Sequence, residues 1–225
     1  MNIILQGIVG STAYGLDHEG SDIDQIGIFV APTASLLKFN PPDDSIVSHE
    51  PDLTLHELKK YLSLALRCNP TITELLWLPD DLYTVMTPLG GELIDYRHKM
   101  LSESYVRNAY GGYAVQQIKR LRRREDENAA AANDPQRVAK HARHCLRLLH
   151  QGLELLTYGT LTVRVPNPDY YWRLSEMTLE QIEAEFLRVD TLMQNAKSIL
   201  PAEPDRDAVE QFLIDVRNYD MRGSL

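Results

Sequence analysis

The chain opens on strand-like alternation. The apolar positions of NIILQGIVGS predict a short strand that breaks into a Gly-Ser turn, and SDIDQIGIFVAP predicts a second strand. In that second strand Ile23, Gln25, Gly27 and Phe29 share one face, while Asp22, Asp24, Ile26 and Ile28 share the other. Pro32, Pro41 and Pro42 punctuate a loop, and DSIVSHE supplies a third strand before Pro51. Over 54–68 the period changes to that of a helix, with Leu55, Leu58, Leu62, Ala65 and Leu66 on one face. Asn69-Pro70 stops that helix, and a short apolar segment, TITELLWL, runs on to Pro79.

Beyond about residue 90 the pattern is helical. A helix over 101–125 is weakened by Gly111-Gly112, and ENAAAANDPQ reads as a small-residue joint. The strongest periodicity covers 136–158. There Val138, Ala142, Cys145, Leu149, Leu153 and Leu156 fall in one stripe, opposite Lys140, Arg143, His144, Arg147 and Gln151. PNPDYYWRL reads as an aromatic loop, two amphipathic helices close the chain, and no internal repeat is visible. The expected fold is α+β (α/β): a small mixed sheet within a core at 1–90, then a helical part at 91–225 that packs on it.

Composition narrows the class. The 225 residues are 44% hydrophobic, an ordinary content for a globular core. No apolar run reaches the roughly 18 residues that span a bilayer, and MNIILQGIVG lacks the basic start of a signal peptide. The expectation is a cytoplasmic protein with no membrane partner. Cys68 and Cys145 are too few for a disulfide framework, and their apolar surroundings predict buried thiols. A net charge of −9 argues against a general nucleic-acid coat, which needs a basic field. The charge is uneven, however: nine Lys/Arg against four acids between Lys119 and Arg147 could handle an anionic ligand.

The candidate chemistry lies at 10–24, GSTAYGLDHEGSDID. Asp22 and Asp24, two apart on a strand, leave the same face about 6–7 Å apart at Cα. Unpaired, they repel; a Mg²⁺ ion between them, completed by phosphate oxygens, removes the conflict. A bare Asp-x-Asp more often marks an exposed polar face. Here Gly10-Ser11 precedes it at a strand end, where glycine lets backbone N–H groups approach a phosphate.

These residues resemble the signature of the DNA polymerase β superfamily of nucleotidyltransferases. They are most similar to its bacterial and phage branch associated with RNA ligases. That branch shows G-S-x-A-Y-G before S-D-x-D-x-x-G, matched over 10–27. It also shows D-x5-L-[KR]-K-[FY] and N-P-x-x-x-E-L-L, matched by DLTLHELKKY and NPTITELLWL, and K-H-x-x-H-x-x-R-L-L, matched by KHARHCLRLL. The resemblance touches about 4–160.

The resemblance implies transfer of a nucleoside monophosphate from a triphosphate, ATP among the donors, to a hydroxyl, with release of pyrophosphate. Gly10 and Ser11 would hold the β and γ phosphates. Asp22 and Asp24 would bind two Mg²⁺ ions, with Mn²⁺ as an alternative. Asp52 matches the third carboxylate, but it follows Pro51 and could instead cap the next helix; Glu50 is the fallback if the strand register differs. Tyr14 could stack on a base or pack beneath the turn, while Asn69-Pro70 and Glu74 read as structural. Lys140, His144 and Arg147 read as triphosphate or acceptor contacts against the alternative of a solvated face, with His141 on their flank. A zinc site from His141, His144 and Cys145 is disfavoured, since such a trio spreads around a helix. The acceptor implied is an RNA end, tRNA among them, with a protein or small-molecule acceptor as alternatives. The rival classes are a nucleotide sensor or toxin–antitoxin component on the same fold, and a purely RNA-binding helical module.

Overall fold

A computed structural model describes residues 1–112 and 135–223. The protein is α+β: a five-stranded mixed sheet near the N-terminus is followed by a mostly helical remainder. The chain divides into two compact units. The first comprises Met1–Leu101 with Glu203–Leu225, the second Ser102–Ala202. Among the described residues no helix is long and apolar enough to cross a membrane.

The sheet of the first unit has the order β3-β4-β2-β1-β5, formed by β1 (Asn2–Val9), β2 (Asp24–Val30), β3 (Ser45–His49), β4 (Asp52–Glu57) and β5 (Tyr83–Met86). Strand β2 is central, antiparallel to β1 and parallel to β4. Its Ile26, Gly27, Ile28, Phe29 and Val30 are all buried, as a strand covered on both faces requires. Gly7 and Gly27 sit where the sheet is tightly covered, since a Cβ on either would lie within 3 Å of a leucine methyl.

The helix expected over 54–68 is corrected in its first part. Residues Asp52–Glu57 form β4, and the helix is Leu58–Ala65. Leu53, Leu55 and Glu57 alternate as well as they fit a helix, and pairing with β2 on one side and β3 on the other decides the matter. Glu57 caps the helix, accepting from the Lys59 amide at 2.9 Å. Asn69-Pro70 stops one helix and opens the next, Pro70–Leu75, whose Ile72 amide donates to the Asn69 side chain. The same Asn-Pro signal corrects the expected aromatic loop: Asn167 caps a one-turn helix, Pro168–Trp172, in the second unit.

The closing helix Arg206–Met221 belongs to the first unit and is held there by charge. The Arg217 guanidinium meets the Glu57 carboxylate at 2.5 Å and donates to the Ala31 carbonyl at 3.2 Å. The side chains are 15% and 4% exposed, so the pair is largely out of water. Asp220 accepts from the Thr33 amide at 2.5 Å, and this bond lowers its pKa.

In the second unit the dominant element is the helix Pro135–Tyr158, packed on Leu179–Asn195. Ala142, Cys145, Leu149 and Leu156 of the expected apolar stripe are buried. Both cysteines are buried thiols outside any disulfide. The helix expected over 101–125 is helical through Glu103–Val106 and a π-turn at Arg107–Gly111; residues 113–125 of it lie outside the described residues, as does the expected joint ENAAAANDPQ except for Pro135 and Gln136, which open the long helix.

Removing one member of a buried ion pair strands the other charge. Arg217→Met is expected to lower unfolding free energy by about 3–5 kcal/mol. Adding Glu57→Gln should restore part of that loss. Urea denaturation of the single and double variants checks this, and a single variant as stable as the parent would show that the pair is not what holds the closing helix.

Candidate active site

Strand β1 ends at Val9, which pairs with Asp24, the first residue of β2. Gly10 follows in a left-handed conformation, φ 72°, and opens the single helical turn Gly10–Tyr14. The Asp24 carboxylate lies directly over it: a Cβ on Gly10 would sit 2.1 Å from Asp24 Oδ2. Glycine is therefore required here twice, by its backbone angle and by the carboxylate above it.

On the other side of β2, the parallel register pairs Gln25 with Leu53. One step back, Asp24 and Asp52 stand at the matching ends of neighbouring strands, about 4.8 Å apart at Cα and directed to the same face. Asp52 is thus a strand residue, and the helix cap considered for it is Glu57 instead. Glu50 falls in the turn between His49 and Asp52, outside both strands. Asp22 is exposed, two residues ahead of β2. Asp24 and Asp52 therefore share one corner of the first unit, with Gly10 beneath the Asp24 carboxylate and Asp22 two residues away along the chain.

Among the described residues no three His, Cys, Asp or Glu side chains are gathered closely enough to hold an ion by themselves. The donor chemistry still suits Mg²⁺, which takes one or two carboxylates and completes its shell with water and substrate phosphate oxygens.

The second motif supports the turn from behind. The Tyr14 hydroxyl donates to the Glu74 carboxylate at 2.8 Å, and Glu74 is buried on the Pro70–Leu75 helix. The Tyr61 hydroxyl donates to the Ile72 carbonyl of that same helix. Beside the carboxylate corner Gln6 donates to Gln25 across β1 and β2 at 2.8 Å, a pair that periodicity alone does not reveal.

The third motif lies in the second unit. Lys140 is exposed, whereas Arg147 is only 2% exposed and Gln151 is also buried. The Arg147 guanidinium donates to Gln151 at 2.7 Å and reaches His144 Nδ1 at 3.4 Å. Burial, then Arg147, then His141 push His144 down to about 4, so it is neutral near pH 7. Burial pushes the Cys145 thiol up to about 12, which keeps it protonated. The basic run at 119–124 lies outside the described residues.

A small mixed sheet with carboxylates beside a strand-end glycine turn is the framework of a nucleotidyltransferase. The chain matches the RNA repair pathway DNA polymerase beta family, RlaP, over residues 1–214, and it belongs to that family. It is accordingly a nucleotidyltransferase of the DNA polymerase β type, a superfamily that generally uses divalent metal ions. No curated protein matches the chain.

Two stability outcomes follow from this geometry. Gly10→Ala should lower unfolding free energy by about 1–2 kcal/mol through the left-handed backbone alone, with displacement of Asp24 adding to it. A urea midpoint unchanged from the parent would refute the tight contact. His144 is held neutral in the fold, so its contribution is full above its unfolded value of about 6.5 and is lost as pH falls toward 4. His144→Gln should flatten the fall in stability over that window by up to about 3 kcal/mol. It should not abolish the fall, because burial also lowers His56 and His150. Urea unfolding at pH 7 and pH 4.5 provides the comparison.

Proposed function

We propose that this nucleotidyltransferase moves a nucleoside monophosphate from a nucleoside triphosphate to a hydroxyl at an RNA end, tRNA ends included. The acceptor oxygen attacks the α-phosphorus, the bond from that phosphorus to the bridging oxygen breaks, and pyrophosphate leaves. The observation that supports this most is the placing of Asp24 and Asp52 at matching ends of parallel neighbours, beside Gly10.

In this reading Asp22, Asp24 and Asp52 are the ligands of two Mg²⁺ ions, which Mn²⁺ could replace. Bound there, the ions would neutralise triphosphate charge and ease ionisation of the acceptor hydroxyl. Asp52, at the exposed end of its strand, is positioned to take the acceptor proton. Gly10 and Ser11 present backbone and hydroxyl to the β and γ phosphates, and the bare backbone at Gly10 permits the close approach. The Tyr14 ring supports the base while its hydroxyl stays with Glu74. Lys140 and Arg147 meet the negative charge of the substrates, Lys140 from an exposed position and Arg147 from a buried one, and the neutral His144 adds a hydrogen bond rather than charge. The RNA acceptor is favoured by the repair pathway that the family description gives.

The test is pyrophosphate release from each of four triphosphates in Mg²⁺, with and without RNA. RNA should raise the rate for at least one of them. Asp24→Asn and Asp52→Asn should each lower kcat at least about a hundredfold, the equivalent of several kcal/mol of lost charge stabilisation. Ser11→Ala should be milder, raising KM for the triphosphate about tenfold, as expected for one charge-assisted hydrogen bond. A folded Asp24→Asn protein that turns over like the parent ends this reading, and stimulation by a protein or small molecule in place of RNA changes the acceptor.

A further inference from the structure

The helix Pro135–Tyr158 carries a cation that its motif does not mark. Arg143 occupies a position that K-H-x-x-H leaves open, yet it is partly buried. Its guanidinium carbon stands 4.5 Å from the centre of the Trp172 ring, on the short helix Pro168–Trp172. Arg173 follows directly, exposed, and opens the 3₁₀ turn Arg173–Glu176, which packs on the long helix. All of these residues belong to the second unit.

A partly buried arginine ordinarily meets a carboxylate, because a cation taken out of water needs compensation. Among the described residues no carboxylate pairs with Arg143, and the contact it makes is with the indole face. The direction of its pKa agrees: burial lowers it, and no neighbouring anion raises it. Arg173 also lacks a carboxylate partner among the described residues, although Asp169 and Glu176 stand exposed on the same stretch. Stacking on a ring engages the flat face of a guanidinium and leaves its N–H edge for an anion. Trp172 thus fixes the fork before any ligand arrives, so less order is lost on binding.

We propose that Arg143, Trp172 and Arg173 form a contact surface for an RNA strand, with a backbone phosphate on the Arg143 fork. The proposal rests on the nucleotidyltransferase reading above and deepens it, giving the RNA acceptor a contact outside the motif residues. Cations set beside an aromatic ring are the elements that track a single nucleic-acid strand. A nucleotide offers its phosphate to the N–H edge and its base to the planar stack. An acidic protein segment would use the cations and leave the stack idle.

The test uses the full chain carrying Asp24→Asn, in EDTA, so that neither turnover nor divalent ions contribute. Binding of a fluorescent single-stranded oligoribonucleotide is followed by anisotropy over a range of KCl concentrations. Arg143→Gln should weaken binding about tenfold, as for one charge-assisted hydrogen bond. It should also lower the slope of log affinity against log salt by about 0.7, the share of one phosphate on a single strand. Arg143→Lys keeps the charge without the fork, and should keep the slope while losing part of the affinity. Arg173→Gln, at an exposed position, should lower the slope in the same way, and it keeps the test decisive if Arg143→Gln melts early by circular dichroism. Parental affinity and slope in both glutamine variants overturn the proposal, as does weaker binding with an unchanged slope, which marks a packing effect. Displacement of the RNA by polyglutamate of equal charge also overturns it and assigns the surface to an acidic protein segment. A failure here leaves the dependence of pyrophosphate release on Asp24 standing, and loss of that dependence leaves the binding result standing.

Discussion

The central position of β2 is the constraint on which the first unit depends. A strand flanked by β1 and β4 must satisfy two hydrogen-bond ladders at once, and each ladder delivers a different group to its N-terminal end. The antiparallel ladder with β1 brings Val9, and so the Gly10 turn, against Asp24. The parallel ladder with β4 brings Asp52 level with it. Sliding the β2–β4 pairing by one residue would turn one carboxylate to the opposite face, and sliding β1 would carry the Gly10 turn away from Asp24. The same ladders that stabilise the sheet thus bring together residues 14 and 28 positions from Asp24 along the sequence.

Strand β4 is fastened at its C-terminal end. Asp52 begins it, and Glu57 ends it in a buried cluster of donors: the Lys59 amide, the Ala31 amide and the Arg217 guanidinium. A buried carboxylate is tolerable only when its lone pairs are met, and meeting them here requires the closing helix. The last segment of the first unit therefore completes a framework that begins with its first strands.

The second unit treats charge differently. Its long helix buries Cys145, Leu146, Arg147, Leu148 and Leu149 in succession, so the helix is surrounded there, and the arginine cannot belong to a solvated face. Its neighbours His144 and Gln151 accept its hydrogen bonds, and burial strips His144 of its own charge near pH 7. Of the motif's Lys140, His144 and Arg147, only His144 loses its charge; Lys140 keeps its own at the surface and Arg147 carries its own inward.

Local pattern was enough for β1 and β2, the helix at 136–158 and the two closing helices, because each depends on neighbours a few residues away. The motifs at 10–27, 52–61, 69–76 and 140–149 were also legible, and they pointed to the family to which the chain belongs. Other features needed partners distant along the chain. Asp52–Glu57 fits two periods, and only the strands on either side of it select the extended one. The order of Glu50 and Asp52 along the chain says nothing about which is level with Asp24; the register of β2 and β4 does. The Asn-Pro pair before the tyrosines at 170 and 171 was visible, yet its role as a helix cap emerges only when the next backbone turn forms. Glu57 and Arg217 are 160 residues apart, and nothing near either shows that the other will neutralise it. Burial is a property of whatever packs against a face. Sequence periodicity defines the face, and tertiary contact alone decides whether water, leucine or a cavity lies against it.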